Sequence, residues 1–160
     1  IVSKNGNLLL NIPVRGDGSL DSDSVAFLEE FGRWMAVNGQ ALYGTRPWKV
    51  FGEGPAQQAA AELSAQGFNE GKGKPFTQED IRFVTKDNDL YAFVMAVPTQ
   101  AVKIRSLALG SQLISNPIVS VVLVGSNNPV NYKQTNEALE IELSDEYPAN
   151  YAVCYKIVFE

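Results

Sequence analysis

Eighteen carboxylates, thirteen basic side chains, one cysteine and no histidine set the chemistry this chain can attempt. Two carboxyl groups can act as acid/base and nucleophile when they face each other about 5 Å apart. The neighbouring acids supply no such pair. Asp21 and Asp23 bracket a helix start, Glu29 and Glu30 occupy a polar helix face, and Asp145 and Glu146 precede a turn. Each is explained as a cap or as solvated surface. Without histidine there is no Ser-His-Asp or Cys-His site, and the commonest metal ligand is missing. No EF-hand spacing supports a carboxylate calcium site. The sequence therefore predicts no catalytic residue, no metal ligand and no cofactor. Asn11 is the one binding candidate, because an amide at the mouth of a strand can orient its neighbours or meet a substrate. Trp34 and Trp48 suit packing better than ligand stacking, and Cys154, inside an apolar run, reads as a small buried hydrophobe.

These groups need elements to hold them. Leu8, Leu9 and Leu10 follow one another, so a strand there needs apolar cover on both faces, as in parallel sheets and barrels. Asp17-Gly18 marks a turn, and Asp21 or Ser22 stands at a helix N-cap. Val25, Leu28, Phe31 and Met35 recur at three- and four-residue spacing and form one apolar stripe. Asn38-Gly39 is expected to end that helix through a left-handed closing residue. Strand, loop and helix make one βα unit. A parallel strand needs a crossover partner, so most of an α/β domain is expected to lie upstream.

Past Trp48 the pattern turns from helical to alternating, which divides the chain into residues 1–48 and 49–160. Leu90 to Val97 is apolar on both faces, a central strand. Val102 and Ile104 alternate with Lys103 and Arg105. Ile118 to Val124 is another apolar run, expected to be buried on both sides. Leu139, Ile141 and Leu143 alternate with Glu140 and Glu142, and Val153, Tyr155, Ile157 and Phe159 close the series. Gly125 to Pro129 and Pro148 to Asn150 supply turns. Short, evenly spaced strands predict an antiparallel β-sandwich. Between the halves, Ala56 to Ala65 favours a helix and Gln66 to Pro75 a flexible surface loop.

The run Val2-Ser3-Lys4-Asn5-Gly6-Asn7-Leu8-Leu9-Leu10-Asn11-Ile12, then Gly16-Asp17-Gly18, Phe31-Gly32-Arg33-Trp34 and Val37 to Trp48 with its Tyr43-Gly44-Thr45-Arg46-Pro47-Trp48 exit, resembles the α-L-fucosidases of glycoside hydrolase family twenty-nine. Asp80 to Thr85, Leu90 to Phe93 and Val121 to Ser126 resemble that family's C-terminal β domain. Many members carry a glycine before Pro13, where this chain has Ile12. The resemblance implies a retaining enzyme whose aspartate nucleophile, glutamate acid/base and sugar-gripping histidines lie upstream of Ile1. This chain then holds the last βα unit of a (β/α)8-like barrel and a C-terminal sandwich, and is catalytically silent. The implied partners are the upstream barrel and, through the whole enzyme, a fucosylated glycan. A carbohydrate-binding sandwich module and an inert support domain are the alternatives.

Composition agrees with a folded chain: 45% of residues are hydrophobic. The net charge of −5 and the lack of a basic cluster give a phosphate backbone no electrostatic partner, so nucleic acid is not expected. No apolar run reaches the roughly 20 residues of a membrane-spanning helix.

Overall fold

A computed structural model describes residues 1–58 and 75–160. After a 3-10 turn at Val2–Lys4 come α1 (Ser22–Asn38), a 3-10 turn at Gly39–Ala41, β1 (Arg46–Glu53) and the short α2 (Pro55–Gln58). Beyond the undescribed stretch lie β2 (Ile81–Lys86), β3 (Asp89–Val94), β4 (Val102–Ile104), β5 (Ile118–Leu123), β6 (Tyr132–Gln134), β7 (Leu139–Ile141) and β8 (Val153–Phe159). The expected helix from Ala56 to Ala65 is described only as far as Gln58, and the expected loop from Gln66 to Pro75 lies outside the described residues apart from Pro75.

Five antiparallel strands form one sheet in the order β1-β2-β3-β8-β5, and three form a second in the order β4-β7-β6. The core lies between them. Phe83, Leu90, Ala92, Tyr155 and Ile157 of the larger sheet meet Val102, Ile104, Leu139 and Ile141 of the smaller. Alternation accounts for this arrangement, since every second residue of a strand faces the partner sheet. Where Lys103 and Glu140 stand opposite each other on the solvent face, their charged ends meet at 3.2 Å.

β3 carries apolar residues on both faces because both are covered. Leu90, Ala92 and Val94 point into the sandwich, and Tyr91 and Phe93 point to the other side of the same sheet. There, Val2, Trp34, Ala41 and Leu42 pack against Val84, Tyr91, Phe93, Val124 and Cys154. The segment preceding β1 thus roofs the outer face of the larger sheet.

Three expectations are corrected. Leu8 to Leu10 form no strand, and the leucines are 53%, 86% and 44% exposed. A strand exists by the ladder it shares, and no described residue offers one. The helix forms where its stripe placed it, with Val25 the exposed member at 40%. At its end Gly39 is right-handed with φ −57°, and the chain passes straight into a 3-10 turn; the left-handed residue comes later, at Gly44 with φ 73°. Finally, β5 is an edge strand buried on one side only, with Val119 and Val122 exposed on the other.

Candidate functional site

α1 begins where Asp21 caps it. The Ser24 amide donates to Asp21 Oδ1 at 2.8 Å, and with the Ser24 hydroxyl it holds the carboxyl below its ordinary value. Past its middle the helix meets the sheet. Trp34 packs on Phe93 with ring centroids 6.1 Å apart, and its indole N–H donates to the Ala152 carbonyl at 2.8 Å. Val37 occupies the space a side chain at Gly125 would need, so the helix lies close against the β5–β6 loop.

Beside this seam the backbone is strained. Tyr151 has φ 68°, and the Ala152 amide donates across it to the Asn150 carbonyl at 2.9 Å. That is a γ-turn of the rare hand, which L-residues adopt only where their surroundings enforce it. The Trp34 bond to Ala152 holds one side of the turn. On the other, the Asn150 side-chain amide donates to Glu30 Oε1 at 3.4 Å, and Glu30 pairs with Arg33 at 2.8 Å. The turn holds the Tyr151 ring out beside α1. Between them runs an apolar groove of about 720 Å³ lined by Phe27, Phe31, Trp34 and Tyr151, with Phe27 and Phe31 stacked at 6.0 Å.

The carboxylates do structural work. Asp80 is fully buried, yet its oxygens accept from the Ala56 amide at 2.8 Å, the Thr77 amide at 2.9 Å and the Thr77 hydroxyl at 3.1 Å. Glu53, at the end of β1, accepts from the Arg105 and Ser106 amides at 2.7 and 2.8 Å and so ties the larger sheet to the turn after β4. Asp89 meets Lys156 at 2.7 Å across the β3–β8 neighbourhood, and that hydrogen bond raises the lysine's affinity for its proton. Among the described residues no group of three metal-ligating side chains converges.

Asn11 is exposed on the unpaired segment after the leucines and makes no hydrogen bond to a described residue. Trp48 packs edge-on against Phe83 at 5.0 Å, inside the sandwich. Arg46 donates to the Thr45 carbonyl at 2.9 Å and pairs with no described carboxylate. Cys154 is fully buried, and burial pushes its thiol well above the ordinary value. Asp80, Glu53 and Tyr151 escaped the sequence reading, because each acts through partners distant in the chain. Only the turn composition of Pro148 to Asn150 pointed near Tyr151.

Residues 1–40 match the family model described as alpha-L-fucosidase, and residues 74–158, more than half of the chain, match that of the alpha-L-fucosidase C-terminal domain. An alpha-L-fucosidase of Branchiostoma floridae is 28% identical over 131 residues, which is 82% of this chain and 23% of the relative. The human tissue alpha-L-fucosidase is 41% identical over 49 residues, 31% of this chain and 10% of the relative. The chain thus spans about a quarter or less of these proteins. Among solved structures, the Thermotoga maritima alpha-fucosidase superposes with TM-score 0.69 at 24% identity, over 98% of this chain and 32% of that one, which establishes the shared fold.

Proposed function

Because the chain belongs to the α-L-fucosidase family, we propose that it is the C-terminal portion of a retaining α-L-fucosidase, an enzyme that hydrolyses terminal α-linked L-fucose. It completes and supports the catalytic barrel and carries none of the reacting groups itself. Residues 1–48 are then the last βα unit of the barrel, their final three already entering β1, and residues 49–160 the supporting sandwich. One observation carries this reading: the segment matching the enzyme family and the segment matching its C-terminal domain meet in a shared packed seam around Trp34. A helix so gripped is fixed relative to the sandwich, and whatever packs on its free side inherits that position. The uncovered Leu8 to Leu10 and Val25 fit such a role, since leucine clusters of this exposure favour contact with another apolar surface.

Asn11 is the residue of this chain placed nearest the reacting sugar in this reading. Barrel enzymes bind substrate at the C-terminal ends of their strands, and Asn11 follows the leucines on that side. The test is hydrolysis of an aryl α-L-fucoside. The full-length protein should release fucose, and the isolated 160-residue chain should release none; turnover by the isolated chain sinks the assignment. In the full-length enzyme, Asn11→Ala should raise KM or lower kcat if the amide touches or orients the site, and leave both unchanged if it only holds loop backbone.

A further inference from the structure

A second cavity, of about 530 Å³, opens between the β5–β6 loop and the segment after β7 and shares no lining residue with the aromatic groove. Its walls carry Ser126, Asn128, Asn131, Glu142, Ser144 and Asp145. These are hydroxyls, amides and carboxylates, a mixed set of donors and acceptors in one concave site. Two of them are already set in place. The Asn131 side-chain amide donates to Glu142 Oε2 at 3.1 Å, and the Glu142 backbone amide donates to the Asn131 carbonyl at 2.9 Å. One Glu142 oxygen is therefore positioned by a protein partner while the residue stays exposed.

Two further features point to a ligand. Leu143 continues the core-facing alternation of Leu139 and Ile141, yet the strand ends at Ile141 and Leu143 is 52% exposed, lining this cavity. An apolar side chain has thus been turned out of the core into a polar cleft. Behind the wall, Tyr155 stands opposite Leu123, a cavity-lining residue, and beside Tyr147, whose hydroxyl accepts from the Ser144 amide at 3.3 Å. The Tyr155 hydroxyl is fully buried and has no hydrogen-bond partner among the described residues. Buried hydroxyls without a partner are uncommon.

Ligand classes can be separated by this lining. The two carboxylates repel anions. A hard cation takes six or more oxygen ligands at short range, and the described residues hold no cluster of three acids. A peptide anchor wants an aromatic or basic pocket, which these walls lack. What remains is a neutral molecule that is rich in hydroxyls and has an apolar face. We propose that the cleft of Asn131, Glu142 and Ser144 is a binding subsite for a neutral sugar residue, its hydroxyls on the amide and carboxylate and its C–H face on Leu143. Such a subsite goes beyond the support role, because it gives the sandwich its own hold on a glycan.

The test is an amide chemical-shift titration of the folded 160-residue chain with L-fucose, methyl β-D-galactoside and, as an anionic control, D-glucuronate. Saturable shifts at Ser126, Asn131 and Ser144 are expected with at least one neutral sugar and not with glucuronate. Glu142→Gln should weaken that binding about tenfold, as loss of one charge-assisted hydrogen bond does. Asn128→Ala, at an exposed loop position, serves as a second variant whose unchanged thermal transition shows that the fold is kept, and it too should weaken binding. Absence of saturable shifts, shifts clustered at Phe27 and Tyr151 instead, or equal binding by both variants and the parent chain overturns the proposal. None of these results depends on hydrolysis by the full-length enzyme, so failure here leaves the support reading standing.

Discussion

Trp34 and Ala152 are joined by a 2.8 Å hydrogen bond across 118 positions of sequence, and this bond couples the helix to the last strand. Trp34→Phe keeps a ring over Phe93 but leaves the partly buried Ala152 carbonyl without its donor. Such a loss costs about 1–3 kcal/mol. Urea unfolding of the variant should show a lower midpoint with an unchanged slope. An unaltered midpoint would mean that the seam contributes nothing to stability.

Gly54 has φ +120°, and a Cβ there would stand 2.6 Å from Asp80 Cα. Gly18 also has a positive φ, +83°, but nothing lies within 4 Å of the corresponding point. Both strain and overlap oppose Gly54→Ala, whereas strain alone opposes Gly18→Ala. The first should destabilise by about 3 kcal/mol or more and the second by about 1. Thermal melts of the two variants, side by side, read the difference.

Asp80→Ala removes the acceptor for the Ala56 and Thr77 amides at once. Two orphaned donors in a buried corner cost about 2–5 kcal/mol together. Asp80→Asn retains one acceptor oxygen and should fall between the parent and the alanine variant. Hydrogen exchange at Ala56 and Thr77 should accelerate in the same order, and equal exchange in all three proteins would contradict the assigned role.

Burial raises the thiol of Cys154 and the hydroxyl of Tyr155 above their ordinary values. The folded state therefore keeps protons that the unfolded state gives up in alkali. Their contribution is complete below the unfolded thiol value of about 8.5 and is lost as pH rises above it. For Cys154 the slope is about 1.4 kcal/mol per pH unit once the unfolded thiol ionises. Cys154→Ala should begin from a lower stability and fall less steeply between neutral and alkaline pH. Parallel curves for the two proteins would show that the thiol is not the titrating group.

Leu9 is 86% exposed between two other uncovered leucines. If that surface favours self-contact, light scattering of the 160-residue chain should show concentration-dependent association, and Leu9→Lys should reduce it. A monomeric parent chain at every concentration would remove that expectation.

The legible parts of the fold were those where pattern and burial coincide. Leu90 to Val94 announced a central strand because both its faces are in fact covered, one by the second sheet and one by the roof of Trp34 and Leu42. β1 escaped notice, since Pro47 and Gly52 interrupt its alternation and its register shifts between them. Val119 and Val122 read as core because an apolar run is the same whether or not its outer face is covered. The leucines read as a strand for the same reason: sequence records the wish for cover, and the ladder depends on a neighbour. As for the site, Asn11 could be located in the sequence, but its surroundings could not. Tyr151 and the Asn131–Glu142 pair could not be found, because they are made by loops that meet only after folding.

The molecule's two tryptophans stand on opposite faces of one sheet, Trp48 against Phe83 within the sandwich and Trp34 against Phe93 under the helix. Each is thus a private fluorescent gauge of one compartment. Lifting of the roof dims or shifts one emission and melting of the sandwich the other, so a single optical trace can tell whether the two layers part in sequence or together.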